Sequence, residues 1–436
     1  MPKCTAEQMS FGRLGRRVIE ADFSGGSISS DGGLMLLQQM DRKLGLSRAA
    51  AGVLHDDRDP SRVTHDMRAL VAQRLYGLCC GYEDLNDHDS LRRDPLAQTA
   101  VGVARELASS PTFSRLETGA TRTDCVALNR VLVEQFIASF AHAPSELILD
   151  VDASDVPLHG DQELKQFHGY YDRYCYLPLY VFCGQSLLTC LLRPARIDGA
   201  KHCAALIKLL VTRLRQVWPG VRLIVRGDSG FCRQGLIRWC ERHDVGYLIG
   251  VARNARLHKA VEGWERLMQV RFEATQQKQR LIREIEYQAE SWACPRRVIT
   301  RLEFGTQGNN PRFVVTNLEG EPQVLYDGMY CQRGEAENRI KEVQLDLFGT
   351  RASCHAFHAN WLRLMFAALA YTLMHRLRAL ALQGTELASA CAATIRVRLL
   401  KIGASIVRNT RRIRILLASH HPQRHTFLIA ARALAP

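Results

Sequence analysis

From about residue 146 the chain alternates between runs of period two and runs in which apolar residues recur every three to four positions. "ELILDVDAS" (146–154) reads as a strand, apolar at Leu147 and Leu149 and again at Ile148 and Val151. Asp150 and Asp152 lie two apart and therefore point to the same side of it. "YLPLYVFCG" and "SLLTCLLRP" follow as two strands of a hairpin, turning at Gly184 and Gln185. Residues 200–218 have helical spacing and stop at "WPG"; "VRLIVRGD" is a buried strand ending at Asp228; "RQGLIRWCERHD" is a helix and "VGYLIGVAR" another strand. An antiparallel start followed by strand–helix–strand units predicts an α/β fold, a mixed sheet covered by helices.

The flanking regions complete a five-part plan. Residues 1–140, with amphipathic runs opened at Ser, Asp or Thr, predict a helical N-terminal domain. Residues 141–253 form the first part of the sheet domain. Short alternating runs rich in Arg, Ile and Val across 254–318 predict a β-rich insertion, and helices return over 319–390. Residues 391–436 contain no acid. There "TIRVRLLKIGASIVRNTRRIRILLA" predicts two strands forming a basic ribbon with Arg408, Arg411, Arg412 and Arg414. The alternative is an edge hairpin kept soluble by its charge.

Composition changes the picture in two ways. Across 436 residues, 58 Lys and Arg against 44 Asp and Glu give a net charge of +14, which favours a polyanionic partner, nucleic acid ahead of a membrane. The N-terminus lacks the apolar segment of a signal peptide, and the longest apolar run, 362–375, is too short for a span and carries Arg363. A cytoplasmic protein is expected. The 14 cysteines include no CxxC pair and read as reduced thiols in packed positions. Cys354, His355 and His358 fall short of a four-ligand zinc set and read as helix-face or capping residues.

Two motifs carry candidate chemistry. "RGDSGFC" contains the GDSG of a trypsin-type nucleophile loop, which would make Ser229 reactive. That reading needs a histidine base and a disulfide-bonded secreted barrel, and Phe231 stands where a glycine follows in such proteases. The other reading takes Asp228 as a carboxylate at a strand end, costly to bury unless it binds a metal. In "YDGMYCQRGEAENRIKEVQ", Tyr330, Arg333, Glu337, Lys341 and Gln344 are spaced 0, 3, 7, 11 and 14. At about 100° per residue they share an arc of roughly 80°. One helix face thus presents a carboxylate among a phenol, a guanidinium and an ammonium; from spacing alone it is equally a solvated stripe of ion pairs.

At this point the chain resembles a DDE transposase of a bacterial insertion sequence, DDE group 1, closest to the "thirteen-eighty" group. "ADFSGGSISSDGG", "LDVDASDVPLHGDQE", "FHGYYDRYCYLPLYVFCG", "VRGDSGFCR", "RNARL" and "YCQRGEAENRIKE" carry the likeness in matching order over essentially the whole chain. The resemblance implies a ribonuclease-H-like core in which Asp152, Asp228 and Glu337 are the catalytic and metal-binding carboxylates. They would hold two Mg²⁺ ions, with Mn²⁺ possible. Asp150 competes with Asp152 for the first place, but the small-then-hydroxyl step Ala153–Ser154 matches the family at Asp152. Tyr330 and Arg333 match a tyrosine–arginine–glutamate–lysine signature and would contact DNA. Its lysine is replaced by Gln344, with Lys341 supplying a charge one turn earlier.

The family's reaction is cleavage of DNA at terminal inverted repeats, then joining of the 3′-hydroxyl to target DNA, in many relatives through a hairpin at the element end. Trp292 in "AESWACP" is the candidate for holding a flipped base, a core tryptophan being the alternative. The expected partners are double-stranded DNA and a second copy, as a homodimer on DNA, in the bacterial cytoplasm and nucleoid. Two rival readings are a nuclease that cuts without joining, and an inactive DNA-binding derivative of a transposase.

Overall fold

The computed structural model describes residues 8–435. In chain order it opens with a hairpin of β1 (Met9–Leu14) and β2 (Arg17–Ala21), then β3 (Ile28–Ser29). Helices α1 (Leu34–Leu44), α2 (Leu46–Ala51), α3 (Met67–Cys80), α4 (Asp87–Leu91), α5 (Pro95–Val101), α6 (Ser110–Thr118) and α7 (Arg122–Ile137) follow. Next come β4 (Glu146–Ala153), the short strands β5 (Val156–Pro157), β6 (Gln166–His168) and β7 (Arg173–Tyr176), then β8 (Leu179–Cys183) and β9 (Ser186–Leu191). Alternating units follow: α8 (Cys203–Val217), β10 (Arg222–Gly227), α9 (Gln234–Arg242), β11 (Gly246–Val251), α10 (Ala255–Thr275). The chain then forms β12 (Gln279–Tyr287), β13 (Arg296–Gly305), β14 (Gly308–Asn309), β15 (Arg312–Thr316), α11 (Gly334–Lys341) and α12 (Phe357–Ala381). It finishes with α13 (Ala392–Ile395), β16 (Ala404–Arg408), β17 (Ile413–Leu417) and α14 (Arg424–Ala433).

The chain forms two compact units, one of residues up to Leu116 together with Leu373 onward, the other Glu117–Thr372. In the first, β16 pairs with β17 and with β3, and Arg408, itself exposed, donates to Thr99 Oγ1 (2.8 Å), Gln98 Oε1 (3.2 Å) and the Pro95 carbonyl. Arg411, Arg412 and Arg414 remain exposed. The strands β1 and β2 open a segment read from the sequence as helical, and every residue of that hairpin is exposed.

The second unit holds a mixed sheet in the order β12-β13-β15-β11-β10-β4-β8-β9. β10 runs parallel to β4 and β11, while β8 and β9 form an antiparallel edge. The five strands β9-β8-β4-β10-β11 are the mixed sheet of a ribonuclease-H-like core. The turn between β8 and β9 lies at Gly184, φ 56°, and Gln185, as the pattern predicts.

The region read as a β-rich insertion differs from expectation at its start. Residues 255–275 are helix α10, because Leu257, Val261 and Met268 recur at helical spacing and are buried against the sheet. The strands after it do not form a separate sheet; β15 pairs antiparallel with β11 and so extends the core.

Alternation along β4 divides its side chains between the two faces. Leu147, Leu149 and Val151 join Leu223 and Val225 of β10 and the apolar sides of α8 and α9 in one core. On the opposite face Ile148 packs with Ile224, Leu248, Leu325 and Tyr326. Asp150 is directly alongside Arg226 in the parallel register. Their side chains are 3% and 6% exposed and form a two-pronged ion pair, Arg226 Nη2 to Asp150 Oδ2 at 2.7 Å. Arg226 Nη1 also donates to the Met329 carbonyl, tying the sheet to the helical segment above it.

Removing one partner of such a pair leaves an uncompensated buried charge. Asp150→Asn should therefore destabilise the protein by about 3–5 kcal/mol in urea unfolding. The double replacement Asp150→Leu with Arg226→Met should recover most of that loss. A single replacement without measurable cost would show that the pair is not structural.

Candidate functional site

The next layer on this face, one step along each strand toward its C-terminal end, contains Asp152 on β4 and Asp228 directly after β10. Extended backbone brings both to the same side as Asp150 and Arg226, but with no basic residue on either strand between them. The corresponding position of β11 is Gly250. A side chain there would collide: its Cβ would lie 2.7 Å from the Tyr330 hydroxyl and 2.8 Å from the Ser229 nitrogen. The missing side chain thus makes room for the Tyr330 ring, which packs at 5.6 Å from Tyr326.

The third carboxylate comes from a helical rod of changing pitch. Val324–Met329 is a π turn, Tyr330–Arg333 a 3-10 turn, α11 regular, and Glu342–Asp346 a second π turn. Arg333 leans from the rod into the acidic layer. Its Nη1 lies 3.3 Å from Asp152 Oδ2 and its Nη2 2.6 Å from Glu337 Oε1. One guanidinium therefore joins the carboxylate on β4 to the carboxylate on α11.

Electrostatics follow from this burial. Burial pushes the Asp152 carboxyl up to about 6; Arg333 pulls it down, while the charges of Asp228 and Glu337 push it further up. Burial raises the Tyr330 phenol above its ordinary value. Asp228 accepts a hydrogen bond from the Gly230 backbone N–H on Oδ1 (2.8 Å), capping the short turn Ser229–Phe231. Ser229 is exposed at the start of that turn.

The donor set, three carboxylates and no sulfur or imidazole, suits a hard divalent cation rather than zinc. Among the described residues, however, no three Asp, Glu, His or Cys side chains are gathered as a cation shell. Arg333 stands between two of the three. The residues fit a cation in kind, and Arg333 bridges two of them.

Several sequence expectations fall elsewhere. The 100° arithmetic puts Gln344 on the arc of Glu337, but the second π turn rotates it inward, where it is 7% exposed. Gln344 Nε2 donates to the Asp155 carbonyl (2.9 Å) and its Oε1 accepts from Ser154 Oγ (3.2 Å). It clamps the end of β4 to the rod and faces no solvent phosphate. Lys341 is exposed on α11. Trp292 is 5% exposed, edge-on to Tyr287 at 5.6 Å, with the Arg296 guanidinium 5.2 Å from its ring. Held in the core in this way, it has no open face for a base. Sequence reasoning missed Arg226 and Gly250, whose parts depend on strand pairing.

A family model described as transposase DDE domain group 1 matches residues 11–436. No curated protein matches the chain. Among solved structures, it is similar to the piggyBac transposase in a synaptic complex with hairpin DNA. That likeness has a TM-score of 0.43 and 10% identity, covering 85% of this chain and 80% of that one, too distant to bear on the chemistry. No helix among the described residues is long and apolar enough to cross a membrane. The match over nearly the full length places the chain in a family: it belongs to the transposase DDE domains, group 1.

Proposed function

We propose that this protein is the transposase of a bacterial insertion sequence, which binds the element's terminal inverted repeats, hydrolyses phosphodiesters there and joins the 3′-hydroxyl ends to target DNA. The observation that carries the reading is the acidic layer: Asp152 and Asp228 at the ends of neighbouring parallel strands, with Glu337 linked to Asp152 through Arg333. Asp152 is preferred over Asp150 because Asp150 already has its cation in Arg226. Mg²⁺, or Mn²⁺ in its place, when bound as a pair would activate the attacking oxygen and stabilise the leaving one.

The chain's own residues would do the rest. Asp152, Asp228 and Glu337 supply oxygens, and Arg333, with its planar fork, suits a DNA phosphate once it releases the carboxylates. Tyr330, seated over Gly250, offers its hydroxyl at the edge of the same layer. Arg411, Arg412 and Arg414 on the β16–β17 ribbon, and Lys341 on α11, are exposed cations for the DNA backbone. Arg408 serves the ribbon by anchoring it. Coordinated cutting at two ends calls for a homodimer on DNA, acting in the cytoplasm at the nucleoid.

A strand-cleavage and strand-transfer assay on end-containing DNA with Mg²⁺ tests the reading. Asp152→Ala, Asp228→Ala and Glu337→Ala should each abolish cleavage and leave end binding intact. Cleavage without joining would mark a nuclease, and binding without either reaction an inactive derivative.

The raised Asp152 carboxyl gives a second expectation. Its folded value, about 6, lies above its ordinary 3.8, so the folded state is favoured by protonated Asp152 and loses that stability as pH rises through 6. Without metal, Asp152→Asn should be as stable as the wild type near pH 4 and more stable above about pH 7, by about 1–3 kcal/mol. A gap independent of pH between those limits would contradict it.

For the ribbon, replacing Arg411, Arg412 and Arg414 together with Gln should flatten the dependence of DNA affinity on salt by up to about three log–log units. Fluorescence anisotropy at several salt concentrations reads this slope, and an unchanged slope would leave the ribbon as an edge kept soluble by charge.

A further inference from the structure

We propose that the aromatic hairpin following β4 is a stacking platform for unpaired or flipped nucleobases of the DNA being cut. The inference rests on the DNA-cleaving reading of the carboxylates. β5 begins just beyond Asp152 and pairs with β7, which pairs with β6. The C-terminal end of β7 is anchored: Cys175 and Tyr176 are fully buried, and the Tyr176 hydroxyl donates to the Glu163 carbonyl at 2.6 Å.

The rest of the hairpin, toward the turn, presents rings to solvent. Phe167 and Tyr174 are cross-strand partners, edge-on at 5.7 Å and 52% and 51% exposed. Tyr170 at the turn is 86% exposed and stands edge-on to Tyr171 at 5.0 Å. Rings of this size left in water forgo the stabilisation that burial gives. Cations accompany them: the Lys165 ammonium is 5.0 Å from the Tyr174 ring, and Arg173 is exposed beside Asp155, at 3.9 Å.

Two links connect this surface to the acidic layer. The Tyr171 hydroxyl donates to the carbonyl of Ala153, next to Asp152, at 3.5 Å. Burial, and then the charges of Asp155 and Asp152, push the Tyr171 phenol up to about 12. An anchored hairpin with exposed rings and interleaved cations, continuous with the carboxylates, matches how single-stranded nucleic acid is held. A second copy of this chain is the poorer occupant, since each carries +14. Stacking tolerates any base, so the platform would hold the opened end without reading its sequence. It would fill the role for which Trp292, buried, has no free face.

The test uses the full-length protein and a duplex of arbitrary sequence with a short single-stranded tail carrying 2-aminopurine, beside the same duplex blunt. Replacing Phe167, Tyr170 and Tyr174 together with Ala should weaken tail binding at least about tenfold and remove the 2-aminopurine response, with blunt-duplex affinity unchanged. Tyr170→Phe with Tyr174→Phe should retain both. Tail affinity and fluorescence like the wild type in the triple variant would overturn the platform, as would equal losses on tailed and blunt DNA. So would conversion of a dimer to a monomer in sedimentation with tail binding kept, which would mark a contact between copies. Metal-dependent nicking by the wild type on the same DNA is scored separately. Its absence with tail binding intact would sink the cleavage reading and not the platform.

Discussion

A buried ion pair one layer below the acidic layer organises this face of the sheet. Parallel pairing of β4 and β10 places Asp150 against Arg226, and the same register brings Asp152 and Asp228 side by side one step further on. The lower layer is neutralised and closed by apolar neighbours; the upper is acidic and half-open. Because Arg226 also holds the Met329 carbonyl, the pair sets where the rod carrying Tyr330, Arg333 and Glu337 begins. Losing it would disturb both the sheet and the helix that supplies the third carboxylate.

The rod adds a second constraint through its pitch. A regular helix would keep Gln344 in line with Glu337; the π turn between them sends Gln344 inward, where it fastens Ser154 and Asp155. Wide turns of this kind re-aim side chains at some cost in hydrogen bonding. Arg333, between the two wide turns, bridges Asp152 and Glu337, so that the acidic layer contains its own cation.

Much of this was legible in the sequence, for identifiable reasons. The period of two in "ELILDVDAS" puts Asp150 and Asp152 on one side, and β4, β8, β9, β10 and β11 fall where the pattern predicts. Which aspartate is open does not follow from the pattern, because it depends on which strand Arg226 lies beside; only the family resemblance chose Asp152. Gly250 is equally silent, since its empty place matters only against Tyr330. Gln344 was misplaced by assuming one pitch along the rod. Helix α10 was hidden among β-branched neighbours although Leu257, Val261 and Met268 carry its spacing. Trp292 was read from a motif, whereas Tyr287 and Arg296 close over it in the fold.

The central claim is the proposed one, that Asp152, Asp228 and Glu337 take up a divalent cation, for which Arg333, bridging Asp152 and Glu337, competes. Calorimetric titration of Mn²⁺ into DNA-free wild-type protein and Arg333→Gln tests it most directly. Freed of the guanidinium, the variant should bind the ion more tightly, by about tenfold or more, as expected when an opposing charge-assisted contact no longer has to be broken. Equal or weaker binding in Arg333→Gln would contradict the account.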